Sequence, residues 1–174
     1  PPNRSPEAIP TRIENHTASD GSPVEIIDYY QFVMGDYFET MGVPIVAGRS
    51  FEPADAVSPA RVVIVNETLA NRIWKGRSPI GQRVRPNLSA AIGFGDDSWH
   101  TVIGVAKDVK QGGVEKQTGT ELYVSLDQLA MAAPTMNVVL RTILPPAALS
   151  RTLERLVREV DPAVPVSYTH LRAH

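Results

Sequence analysis

Short apolar runs separated by turn residues dominate the chain. VEIIDYYQFVM, Val24 to Met34, is rich in β-branched and aromatic residues and outruns the usual strand of about 5–6 residues, so it predicts one long, bulged strand. RVVIV at Arg61 to Val65 is a continuous apolar run typical of a buried strand. TVIGVA (Thr101 to Ala106), ELYVSL (Glu121 to Leu126) and MNVVLRT (Met136 to Thr142) read as further strands, and Gln82 to Arg85 follows a turn built on Ser78, Pro79, Ile80 and Gly81. Val164 to Ser167 is a candidate for one more. VPIVAGRSF, Val43 to Phe51, stays apolar until Gly48, where a side chain would obstruct a tight turn or a close backbone approach.

Helical spacing is rarer. Asp36 stands at an N-cap position before a short helix, Tyr37 to Met41, with Gly42 as its left-handed stop. Asn66 caps ETLANRIW, in which Leu69 with Ile73 and Ala70 with Trp74 recur at i,i+4. The strongest helix comes last: Pro145 and Pro146 suit a first turn, and Leu149, Leu153, Leu156, Val157 and Val160 form one stripe opposite Arg151, Glu154, Arg155 and Arg158, ending before Pro162. Residues 1–23, with five prolines, read as a flexible lead-in, the stretch to Pro59 as a polar loop, residues 86–98 as a loop or loose hairpin, and Gly112 with Gly113 as a turn. Strands interrupted by two or three helices make an α+β chain rather than regular βαβ repeats.

Composition narrows the function. A length of 174 residues fits one domain or two small lobes, and 43% hydrophobic with 21% charged residues excludes wholesale disorder. With 17 basic against 19 acidic side chains there is no strong overall field for nucleic acid or anionic lipid, so no nucleic-acid partner is expected. The absence of cysteine removes disulfides, thiolate metal sites and cysteine nucleophiles together. No run of about 18 apolar residues occurs, and Pro1 to Pro10 lacks a signal pattern. The opening on Pro1 and Pro2 without a methionine suggests a piece of a longer protein.

Candidate chemistry is sparse. Asp96, Asp97 and His100 in GFGDDSWH form the sharpest enzyme candidate, a metal-dependent hydrolase site, yet adjacent aspartates in a Gly-rich loop ordinarily serve turn formation and no second ligand pair has metal spacing. His170 and His174 have i,i+4 spacing near the end of the chain, where bystander roles dominate. Gly93 and Gly95 lack the third glycine and following helix of a dinucleotide loop, and neither a nucleophile elbow nor a P-loop is present. Asn15, Asn66 and Asn87 head N-x-S/T triplets, which are common by chance. Trp74 and Trp99 suit a core or an interface, and Arg49 suits a pair with Glu52 or Asp55. No catalytic, cofactor or metal residue is therefore assigned; a freestanding binding module is a further alternative.

Taken in order, the pieces resemble the MacB-like periplasmic core domain of FtsX-type ABC transporter permeases. The carrying residues are Gly35-Asp36-Tyr37-Phe38, Met41-Gly42, Gly48-Arg49-Ser50-Phe51, VVIVNETLANRIW at Val62 to Trp74, SPIGQRV at Ser78 to Val84, VIGVAKDVK at Val102 to Lys110, ELYVSLDQ at Glu121 to Gln128, VVLRT at Val138 to Thr142 and DPAVPVS at Asp161 to Ser167. The similarity runs from about Val24 to Ser167.

This resemblance implies two lobes: a partial ferredoxin-like porter lobe from residues 24–34 with 136–167, and an inserted, mainly-β lobe with short helices from 35–135. It implies a non-enzymatic domain outside the cytoplasmic membrane, without a cofactor, that transmits ATP-driven motion for export or lipoprotein release. The implied partners are an ABC ATPase subunit or domain, a second permease copy and an adaptor protein. The strand and helix with which such a porter lobe begins have no counterpart here, and Tyr168 to His174, YTHLRAH, does not continue the family pattern and reads as a non-native tail.

Overall fold

The computed structural model describes residues 9–89, 97–109, 118–129, 136–144 and 146–167. Gly93, Gly95, Asp96, Gly112, Gly113, Pro145 and the tail 168–174 lie outside them. The chain divides into two compact units, Pro1–Asn137 and Val138–His174.

In the first unit, eight strands form one mixed sheet: β1 (Ile9–Ile13), β2 (Glu25–Ile27), β3 (Tyr29–Val33), β4 (Ile45–Gly48), β5 (Arg61–Asn66), β6 (Arg83–Pro86), β7 (His100–Ala106) and β8 (Glu121–Ser125). Their spatial order is β2-β1-β6-β7-β5-β8-β3, with β4 paired to β7 off this path. Helices α1 (Tyr37–Met41), α2 (Pro53–Val57) and α3 (Glu67–Trp74) and a 3-10 turn (Leu126–Gln128) pack around it.

The central strands explain their own sequences. Every residue of β8 and all but the first of β5 are buried, so an uninterrupted apolar run is what both faces require. Val63, Val65, Leu122 and Val124 point into one core with Leu69, Ile73 and Trp74 of α3. Ile64 and Tyr123 point into a second core on the other face with Phe38 and Val33, where the Phe38 ring meets Tyr123 edge-on at 4.9 Å. Period-2 alternation thus assigns neighbouring residues to opposite cores.

β7 has β5 along one side, while its other side is shared by β6 at its start and β4 at its end. The β5–β7 register skips Ile103, a bulge whose carbonyl accepts the Arg49 amide at 3.0 Å. Gly48 and Gly104 are register partners at this crossing. A Cβ on Gly48 would sit 2.1 Å from the Ile103 oxygen and one on Gly104 2.3 Å from the Arg49 oxygen; Gly48 also has φ +69°. Close backbone approach is the requirement that the position of Gly48 predicted.

Several expectations need correction. Within the lead-in, Ile9–Ile13 is a strand between β2 and β6: its isoleucines alternate inward, and Pro10 lies where the β1–β6 ladder ends, so its missing amide removes at most a terminal rung. The stretch Val24 to Met34 is two strands, β2 and β3, because Asp28 leaves the ladder to exchange hydrogen bonds with Thr120: the Asp28 amide donates to Thr120 Oγ1 at 3.0 Å and the Thr120 amide to Asp28 Oδ2 at 2.8 Å. The polar loop contains α2, started by Pro53 and a reciprocal capping box between Glu52 and Asp55. Asp36 makes no side-chain cap, although Gly42 does take the left-handed stop.

The second unit holds α4 (Pro146–Val160), as the stripe predicted. Met136 to Thr142 and Val164 to Ser167 are not strands. Alternating side chains do not make a strand without a neighbouring ladder to satisfy the backbone, and no described strand supplies one.

Candidate functional site

The enzyme candidate does not assemble. Asp96 lies outside the described residues. Asp97 is exposed, and its carboxylate accepts the amide and hydroxyl of Ser89; the hydroxyl bond, then the amide, holds its pKa below the ordinary carboxylate range. His100 is buried at 1% exposure at the start of β7, with Nδ1 2.9 Å from the Ser98 carbonyl. Among the described residues no three His, Asp or Glu side chains are grouped to hold a metal ion. His16 sits elsewhere, its Nε2 2.9 Å from the buried Glu25, which also receives Arg72 at 3.0 Å. Trp74 is core; Trp99 is half-buried beneath the Arg83 guanidinium, 5.5 Å from its ring centroid.

What the structure does assemble is a set of polar nodes that pin loops to the sheet. Asn66 Oδ1 accepts from the Leu69 amide, capping α3, and from the Glu121 amide, both at 3.0 Å, while Nδ2 donates to the Gly119 carbonyl at 2.9 Å. One side chain therefore joins β5, α3 and β8. Gln128 does the same for the 3-10 turn: Nε2 donates to the carbonyls of Asp55 and Ala60, and Oε1 accepts the Val62 amide. Thr68 donates its amide and hydroxyl to Asp108 at 3.0 and 2.8 Å, tying the start of α3 to the segment after β7.

Arg49, of the two carboxylates available, takes Asp55 in a bidentate pair at 2.7 Å for each bond; Glu52 is 3.9 Å away. The guanidinium holds the Asp55 carboxyl below its usual range, and the Glu52 amide, 2.8 Å from Asp55 Oδ2, adds to this. Burial pushes the Tyr30 and Tyr123 hydroxyls upward, and for Tyr123 the adjacent Glu121, which accepts its hydroxyl at 2.8 Å, reinforces the shift. Tyr123 is thus a structural donor, and Tyr30 shares a buried hydroxyl–hydroxyl hydrogen bond with Thr11. Of these nodes, sequence spacing exposed only the Asn66 cap and the choice at Arg49; partners such as Gln128 and Asp28 lie 66–92 positions from theirs.

Two glycines thus let β4 and β7 pack at close backbone distance, and buried side chains pin the neighbouring loops to the sheet. Residues 5–160 match the sequence model of the MacB-like periplasmic core domain. The chain belongs to that family. None of the curated proteins matches it. Among solved structures it is similar in fold to the periplasmic region of MacB from Actinobacillus actinomycetemcomitans, with a TM-score of 0.59, 16% identity and coverage of 88% of this chain and 63% of that one. It is also similar to the extracellular domain of the noncanonic ABC-type transporter YknZ from Gram-positive bacteria, with a TM-score of 0.57, 17% identity and coverage of 89% and 72%. The chain thus spans less than two thirds of the MacB region it matches. No helix of the described residues is long and apolar enough to cross a membrane.

Proposed function

We propose that this domain stands on the outer side of the cytoplasmic membrane in an ABC transporter permease and relays motion driven by ATP hydrolysis in a separate domain or subunit. It does so by moving as a body against a second permease copy and, in some assemblies, an adaptor protein, in export or lipoprotein release. It performs no chemistry of its own. The observation that carries this reading is the doubly buried pair β5 and β8, with Asn66 and Gln128 locking the adjoining helices to them. A lever has to transmit displacement without absorbing it, and a close-packed sheet whose loops are tied by buried hydrogen bonds resists internal deformation.

The test is Asn66→Ala in the full permease reconstituted with its ATPase. Loss of transport with ATP hydrolysis retained is the expected uncoupling. Transport that stays at the wild-type level while the domain is measurably softened, by hydrogen exchange in β5 and β8, overturns the relay.

A further inference from the structure

The outward face of the β1–β6 pair carries a charge arrangement that the sheet itself disfavours. Arg12 of β1 and Arg85 of β6 are direct cross-strand partners, and both are exposed on strands whose alternate residues are buried. Antiparallel partners stand about 4.5–5.5 Å apart at Cβ, where like charges repel. Arg83, one outward position along from Arg85, is satisfied: its Nε lies 2.9 Å from Glu14 Oε2 and its guanidinium covers Trp99. The Arg12 side chain makes no hydrogen bond or ion pair with the described residues. Arg85 interacts with the Asp97 carboxylate, which Ser89 already holds.

Three features define what would relieve the repulsion. Two adjacent guanidinium forks match the planar, bidentate geometry of carboxylates. The same face continues into apolar surface, since Pro10 is the outward neighbour of Arg12 and is paired with Ile26, 47% exposed; on the other side Arg12 shares an open recess with Trp99 and His16. Finally, among the described residues Arg12, Arg83 and Arg85 are largely offset by Glu14 and Asp97, so recognition here rests on bidentate geometry at the arginine pair rather than on the strength of a net field.

We propose that this face docks an acidic protein segment whose carboxylates bridge Arg12 and Arg85 and whose carbon chains lie against Pro10, Ile26 and Trp99. The surface is a property of the first unit and holds whether or not the transporter reading does. The test uses the whole chain and a fluorescent oligoglutamate peptide, with inorganic phosphate and phosphatidylcholine–phosphatidylglycerol vesicles as competing probes. Expected are binding that weakens with salt and by about tenfold in R12Q/R85Q, and a melting temperature about 1–3 °C higher in that variant because the repulsion is gone. The control K75Q/R77Q removes two exposed cations just after α3, in the same unit, and should bind as the wild type does. Equal binding by wild type and R12Q/R85Q, an equal loss in the control, or binding of phosphate or vesicles but not of the peptide overturns the proposal.

Discussion

Residues of the same kind are treated in opposite ways by the two units. In the first, Val63, Ile64 and Val65 are fully buried; in the second, Val138, Ile143 and Val160 are 72%, 103% and 89% exposed. The contrast extends to helices. The stripe of α3, Leu69, Ile73 and Trp74, is sealed against the sheet, whereas that of α4 contains an exposed Leu156 and Val160 and no buried residue among those described. Periodicity makes a helix amphipathic, but burial needs a surface to bury against. Within α4 the i,i+4 pairs Glu154–Arg158 at 2.7 Å and Arg155–Glu159 at 2.6 Å add local support to the helix.

Core truncation separates the units most widely. Ile64→Ala should cost about 4 kcal/mol in urea unfolding, since transfer and cavity terms both apply in full at a buried site, while Leu156→Ala should cost less than about 1 kcal/mol. Similar losses at the two sites would mean that α4 has a partner surface and would dissolve the contrast. Next comes Gly48→Ala, expected to lose about 3 kcal/mol because the positive φ and the Ile103 oxygen both resist a Cβ, read as a lower urea midpoint at unchanged slope. Asn66→Ala should lose about 2 kcal/mol, the helix cap together with two stranded backbone groups, and hydrogen exchange should rise at the Leu69 and Glu121 amides.

Smaller effects test electrostatics in each unit. Because the folded-state pKa of Asp55 is depressed, first by Arg49, its contribution is complete above the unfolded carboxyl value near 4 and is lost as pH falls through the folded value. Asp55→Asn should therefore destabilise by about 1 kcal/mol at neutral pH, a figure reduced by screening because the Arg49 side chain is 41% exposed, and should flatten the acid limb of a stability–pH curve. Glu154→Gln should change the helicity of α4 by no more than about 0.4 kcal/mol and only at low salt, followed by circular dichroism.

Local signals were read well where one short segment contained both the cause and the effect. The Gly42 stop, the Asn66 cap, the continuous apolar strands β5 and β8, and the α4 stripe are of this kind. Strand β1 was hidden because the five prolines of residues 1–23 outweighed an Ile-Pro-Thr-Arg-Ile alternation only five residues long. The break at Asp28 was invisible because its partner, Thr120, is 92 positions away. Asp97 and His100 illustrate the converse: closeness in sequence placed one on an exposed loop and the other inside the sheet.

The amino-acid order alone determined the buried strands β5, β7 and β8, the helices α1, α3 and α4, the need for glycine at position 48, and the family, because these depend on backbone sterics and on periodicities of two and 3.6 residues. The tertiary structure decided the strand order, the assignment of Val63 and Ile64 to different cores, the choice of Asp55 over Glu52, and the confrontation of Arg12 with Arg85. Those depend on which distant segments become neighbours, a matter of register and packing among many weak contacts that no local window contains.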